Sequence, residues 1–322
     1  MGEFFTLLKE GNKPSLLAAV VNTIIGVLKA GAFLLTGNVA MFAEMMHSFG
    51  DAANQFFVFI GSALSKKSPT DRFPNGFGRL VNLVCLGAVI IVGILAYETI
   101  KEGLHHILHP KASSGFLISL SVLGIAVVLE LFVLFKAGKE VLHETGQDAK
   151  GIQVMAKSFG SLKRAKPATK LVFMEDLVAT IGGILAMLAV VIAHFSGFVQ
   201  IEGIVSIIIG LMMFYVVGKV FLENARGAIG ETDEEMRQHI ADILLANPAV
   251  TDIQRLNVIK EGELLHVEAE IEVDHKMTIA EADDLKDRLS LLIFAQKGVS
   301  NVVIEFDEID QITHWIKQRP VE

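Results

Sequence analysis

Six stretches of this chain are apolar for long enough to bury a helix in lipid, roughly 14–36, 38–64, 77–104, 115–141, 170–196 and 200–224. A helix needs about 20 such residues to cross a bilayer, and in hydrocarbon only helices and closed barrels satisfy their own backbone hydrogen bonds. The blocks therefore predict a polytopic α-helical membrane protein with six transmembrane helices. A hydrophobic content of 52% over 322 residues, with a mean hydropathy of +0.52, excludes an ordinary soluble protein. The first block is too long for the h-region of a signal peptide, so no cleaved leader is expected. The single cysteine, Cys85, lies inside an apolar run and offers no disulfide framework.

The connections alternate between short and long. Thr36-Gly37-Asn38 and Gly197 make tight turns, and Pro110 with Ser113, Ser114 and Gly115 makes the third. Basic residues gather at the second connection (Lys66, Lys67, Arg72, Arg79) and at the fourth (Lys150, Lys157, Lys163, Arg164, Lys166). The positive-inside rule makes both connections cytoplasmic, and with six spans it puts both termini there too. In a bacterium the membrane would be the inner one.

After Glu223 the composition turns soluble, and the formal net charge of −8 is concentrated there, which argues against nucleic acid as a partner. ETDEEMRQHIADILLANP predicts a helix capped by Thr232 with acids in its first turn. Residues 251–260 and 263–273 predict strands around a Glu261-Gly262 turn; HVEAEIEV alternates, so one strand face is buried and one is wet. A helix over 278–295 and a strand over 300–308 complete an αββαβ order, a small α+β domain. The expected divisions are an N-terminal tail over 1–13, a membrane domain over 14–225 and a cytoplasmic domain over 226–322. The connection 142–169 is long, polar and expected to be partly helical.

Ionisable residues inside apolar blocks are costly and mark sites or pathways. Within MFAEMMHSFGDAANQ, His47 and Asp51 are four residues apart and share one helical face. An imidazole nitrogen and a carboxylate one turn apart can clamp one divalent cation; the plainer alternative is a His–Asp hydrogen bond that only packs helices. The second cluster is Glu175-Asp176 in LVFMEDLVATIGGIL. Adjacent helical residues point about 100° apart, so Asp176 is the preferred ligand. Glu175 is the second choice, or a group that hands protons or metal to the site. The alternative for both acids is a cytoplasmic helix start that favours the N-terminal dipole. Glu44, Glu98 and Glu130 are accessory or proton-carrying candidates. Lys29 would neutralise a neighbouring acid or snorkel, and His105, His106 and His109 are expected to mark a solvated helix end.

These residues resemble the cation diffusion facilitator family. TGNVAMFAEMMHSFGDAANQ resembles its second-helix signature, SPTDRFPNGFGR the following loop, EDLVATIGG the fifth helix and LENARGAIGETDEE the junction to the cytoplasmic domain. The resemblance covers nearly the whole chain and is closest to the zinc transporter 9 branch. It implies a homodimeric, proton-coupled antiporter that exports divalent metal from the cytoplasm, with zinc first and manganese, iron or cobalt behind it. It carries over to His47, Asp51 and Asp176 as metal ligands. The usual fifth-helix histidine is Val172 here, which leaves Glu175, water or Thr180 as the fourth ligand. It also implies a charge pair between Arg79 and Glu223 at or near the dimer seam. Glu305 and Asp307 match tail positions that bind metal in some members, but their partner histidines are missing, so a dimerising tail with little or no metal binding is expected.

The alternative is a membrane di-iron carboxylate enzyme, because Glu44-Met-Met-His47 and Glu140-Val-Leu-His143 both have Glu-x-x-His spacing. His47 lies mid-block and His143 at a polar helix end, so the two motifs would hardly meet. No HExxH stands in the chain, which argues against a zinc protease.

Overall fold

The structure is a computed structural model that describes residues 2–147, 149–151, 153–162, 165, 167–262, 264–310 and 312–315. Lys163, Arg164 and Lys166 of the basic fourth connection lie outside the described residues. The chain forms two compact units, Gly11–Ile60 with Val84–Glu223, and Met1–Glu10 with Gly61–Leu83 and Asn224–Glu322.

The first of these is helical. Among the described residues, five helices are long and apolar enough to cross a membrane: α2 (Lys13–Thr36), α4 (Leu80–Leu108), α5 (Phe116–Glu144), α7 (Pro167–Ser196) and α8 (Gln200–Ile229). The expected sixth, α3 (Val39–Ser65), has 27 residues, but Glu44, His47 and Asp51 interrupt its apolar run and it does not reach the composition of the other five. A nine-residue helix, α1 (Gly2–Glu10), occupies the predicted N-terminal tail, and α6 (Gln153–Ser161) supplies the helix expected in the long connection.

Local chemistry sets the helix ends. The Asn12 side chain accepts the Ser15 N–H at 3.1 Å to start α2. Gly37 ends it in the left-handed region at φ 68°, where its N–H reaches the Phe33 carbonyl at 2.7 Å. One residue later the Asn38 side chain accepts the Met41 N–H at 2.8 Å, so a single tight turn ends one helix and starts the next. The helices pack through small side chains: Ala40, Ala43, Ala96, Ala186 and Ala189 are buried around Met41, Leu123 and Met213. α5 runs against both α2 and α7.

The other unit holds the αββαβ domain. Its order is α9 (Glu234–Leu245), β1 (Asp252–Glu261), β2 (Leu264–Val273), α10 (Ile279–Phe294) and β3 (Val299–Glu308). β1 and β2 are antiparallel about Gly262, which takes φ 69°, and β3 joins the far edge of β2 in parallel. The helix cap falls one residue later than expected: Asp233 accepts the Met236 N–H at 3.0 Å, while Thr232 bridges to Ile259. The alternation of β2 buries Leu265, Val267, Ala269 and Ile271 against Ile240, Leu244, Leu285 and Leu289.

Candidate metal-transport site

α3 places His47 Nε2 3.5 Å from Asp51 Oδ2, one turn on. His47 is buried, whereas Asp51 opens into a recess lined also by Gly50, Asn54, Val92, Glu175 and Val220, which come from α3, α4, α7 and α8. On α7, Glu175 and Asp176 are half-buried. Asp51 interacts electrostatically with both, and His47 with Asp176. The fold therefore brings the four residues singled out in the two apolar blocks to one place. His47 Nε2 and Asp176 Oδ2 are buried and have no hydrogen-bond partner among the described residues. A buried polar atom without a partner costs stability unless something satisfies it, and here the two atoms are of the types that bind a divalent cation. Thr180, the fourth-ligand candidate one turn beyond Asp176, is buried and donates its hydroxyl to the Asp176 carbonyl at 2.9 Å.

Beside these residues lies a buried ion cluster. Lys29 Nζ is 2.8 Å from Glu44 Oε2 and 3.3 Å from Glu130 Oε1. Gly182 and Gly183 make room for it on α7: a Cβ at Gly182 would stand 2.8 Å from Glu44 Oε1, and one at Gly183 2.9 Å from Glu130 Oε2. Lys29 thus neutralises acids instead of snorkelling, and Glu44 and Glu130 are held by it. Glu98, by contrast, pairs with Lys101 at 2.9 Å on the helix surface.

At the far end of the bundle the histidines divide. His105 and His109 are exposed, but His106 is buried, with Nε2 3.1 Å from the Val199 carbonyl and 4.0 Å from Glu202. Glu202, absent from the sequence candidates, is fully buried and accepts from Asn38 at 2.8 Å and Ser113 at 2.7 Å. An acid inside the apolar 200–224 block was the available signal. The network ties two of the short turns together.

Arg79 pairs with Glu261 at 3.3 Å and reaches the Ile229 carbonyl at 3.5 Å, while Glu223 lies near the C-terminal end of α8. Glu140 and His143 are exposed at the end of α5, and Glu44 is committed to Lys29, so the two Glu-x-x-His motifs do not form one centre.

Residues 15–227 match the family model of the cation efflux transmembrane domain, and residues 232–309 that of the cation efflux protein cytoplasmic domain. The chain is 24% identical over 332 residues to a proton-coupled zinc antiporter, SLC30A9, mitochondrial, of Xenopus laevis, covering 98% of this chain and 58% of that protein. The human protein of the same name is 23% identical over 335 residues, with 98% and 57% covered. The cation-efflux pump FieF of Pectobacterium atrosepticum is 22% identical over 297 residues, with 92% of each chain covered. The chain thus spans little more than half of its first relatives and nearly all of the bacterial one. The two family models together span most of its length, and they describe transporters and not enzymes: the chain is a multi-pass membrane protein of the cation efflux, or cation diffusion facilitator, family.

Proposed function

We propose that the protein exports a divalent cation from the cytoplasm in exchange for protons, with zinc the leading substrate and manganese, iron or cobalt behind it. The observation that carries this is the pair of buried atoms without a hydrogen bond among the described residues, His47 Nε2, which faces Asp51, and Asp176 Oδ2, beside the Asp51–Glu175 recess. In this proposal His47, Asp51 and Asp176 bind the substrate ion, and Glu175 completes the set or passes protons to it. One imidazole with two or three carboxylates suits zinc and also harder ions. Similarity to a proton-coupled zinc antiporter and to a cation-efflux pump supports zinc and cation efflux respectively.

Coupling follows from ligand chemistry. A metal binds only deprotonated imidazole and carboxylate, so protons and metal compete for the same atoms. Protonation from the far side releases the ion, and rebinding on the cytoplasmic side expels the protons.

The proposal includes α3 as a sixth span, with its polar face turned to the recess, and both termini in the cytoplasm of a cell whose inner membrane holds the protein. It includes the divisions 1–13, 14–225 and 226–322 and a homodimer formed through the cytoplasmic domain, which the match of residues 232–309 to the family's cytoplasmic domain supports. The test is zinc flux into proteoliposomes with and without an imposed pH gradient. Flux that ignores the gradient would remove the antiport mechanism; no flux of any divalent ion would remove the proposal.

A further inference from the structure

We propose a second divalent-cation site in the cytoplasmic domain, formed by Glu272, Asp310 and His314. It does not rest on the transport proposal. It also departs from the expectation of a tail that binds little or no metal, and it does not use Glu305 and Asp307, the pair singled out by resemblance; Glu305 is engaged with Arg255 at 3.4 Å.

The three residues come together because the end of β2 and the segment after β3 meet at one corner. Glu272 lies near the end of β2, opposite Asp307 of β3, and the chain then turns back over it through Asp310 and His314. One ligand atom from each lies within 4.8 Å of the other two. His314 Nε2 is 3.0 Å from Asp310 Oδ2 and 3.6 Å from Glu272 Oε1. In a tetrahedron with bonds of about 2.0–2.1 Å, neighbouring ligand atoms stand about 3.3 Å apart. The two separations from His314 bracket that value and the third, between Asp310 and Glu272, is under 4.8 Å, so a zinc-sized ion needs only side-chain adjustment, with a water as fourth ligand.

Glu272 supplies the independent sign of a ligand. Its residue is 1% exposed, and Oε1 has no hydrogen-bond partner among the described residues, yet it faces the imidazole. Evolution of a sheet for packing alone gains nothing from a buried carboxylate oxygen left open. Asp252 positions the lid of the site: it accepts the His314 N–H at 2.6 Å and the Trp315 N–H at 3.3 Å, fixing the backbone that carries the imidazole. Asp310 is fixed in turn by the Ile312 N–H at 2.7 Å. Such outer contacts orient ligands at metal sites. A nitrogen donor among three ligands disfavours calcium or magnesium and favours zinc or cobalt. Asp310 and His314 both lie beyond residue 309, where the family-model match ends. An ion here would pin the segment after β3 onto the sheet whenever cytoplasmic metal is available.

The chain provides its own reporter, because Trp315 is its one tryptophan and stacks on Arg237 at 5.5 Å. The experiment uses the full chain in detergent with Asp51→Ala and Asp176→Ala to remove the membrane ligands, titrated with zinc chloride and read by equilibrium dialysis and Trp315 emission. The expected result is one zinc per chain, saturating together with a change in emission. His314→Gln and Asp310→Asn, each added to that background, should weaken both signals at least tenfold. Asp310 is exposed, so its substitution leaves the core intact, and unchanged zinc-free emission checks this. Zinc binding and emission that ignore both substitutions, or a parent without a zinc-dependent emission change, would overturn the site. Neither result depends on whether the protein transports.

Discussion

Lys29 Nζ lies 2.8 Å from Glu44 Oε2, and neither side chain reaches solvent. Glu130 completes the cluster at 3.3 Å, so one cation faces two acids inside the bundle. Removing one partner of a buried pair leaves an uncompensated charge and costs about 3–5 kcal/mol. Lys29→Met should therefore lower the melting temperature in detergent markedly, and Lys29→Met with Glu44→Gln should recover part of the loss. A Lys29→Met protein that melts like the parent would show that the cluster contributes nothing to stability.

A helix crossing gives a second prediction. A Cβ on Gly103 would stand 2.7 Å from the Gly203 carbonyl oxygen, and one on Gly203 would stand 2.6 Å from that of Gly103. Glycine at both positions lets α4 and α8 meet backbone to backbone. Gly203→Ala should destabilise by about 1–3 kcal/mol, the usual cost of overpacking. Gly218, with nothing within 4 Å of its added Cβ, is the control: Gly218→Ala should not lower the melting temperature. Equal losses at both glycines would remove the crossing as the cause.

The two halves of the chain were legible to different depths. The αββαβ order could be read because alternation in HVEAEIEV and the Glu261-Gly262 turn are local signals, and local signals set those elements. Five of the apolar blocks located the five long apolar helices within a few residues, since length and composition decide them; the sixth block, α3, is a helix where expected but lacks that composition. His47 and Asp51 could be paired from their spacing along one helix. What joins different helices could not be read: the Lys29–Glu44–Glu130 cluster and the Asn38–Ser113–Glu202 network depend on how each helix is rotated, which no single apolar block encodes. His106 shows the same limit, because only the approach of Val199 and Glu202 separates it from its exposed neighbours.

The cytoplasmic domain carries a prediction on pH and assembly. Residues 226–322 alone should fold and self-associate; a folded monomer at high micromolar concentration would count against the dimer. In α10 the Glu281 carboxylate accepts the Thr278 N–H and hydroxyl, both at 2.8 Å. The backbone N–H of Thr278 foremost, then its hydroxyl, hold Glu281 below the usual carboxylate range. A lowered carboxyl contributes stability above its unfolded value, ~4.3, and loses it as pH falls through the lower folded value. Thr278→Ala should thus be less stable than the parent at neutral pH, and the gap should narrow below that range. A gap constant with pH would assign the cap no electrostatic part.

Arg79 offers a choice of partners. The structure pairs it with Glu261 at 3.3 Å, and the family resemblance pairs it with Glu223. Arg79→Glu should impair zinc flux. Adding Glu261→Arg should restore more of it than adding Glu223→Arg, because the first swap rebuilds the observed contact. The opposite order would make the pair with Glu261 incidental and favour the seam.

The substrate site gives the most direct test. His47 and Asp51 share one face of α3, and Asp176 presents a buried, unpartnered oxygen from α7. If these three hold the ion, removing any one leaves too few ligands. Asp51→Ala and Asp176→Ala should each abolish zinc flux in proteoliposomes while the protein still elutes as a folded species. His47→Asp exchanges a borderline nitrogen for a hard oxygen, so flux should persist and shift from zinc towards manganese. Glu175 lines the recess with Asp51, but on α7 it points about 100° away from Asp176, so Glu175→Gln should be milder than Asp176→Asn. Normal flux in Asp176→Asn with a dead Glu175→Gln would exchange the roles of the two acids. Normal flux in both would remove α7 from the site altogether.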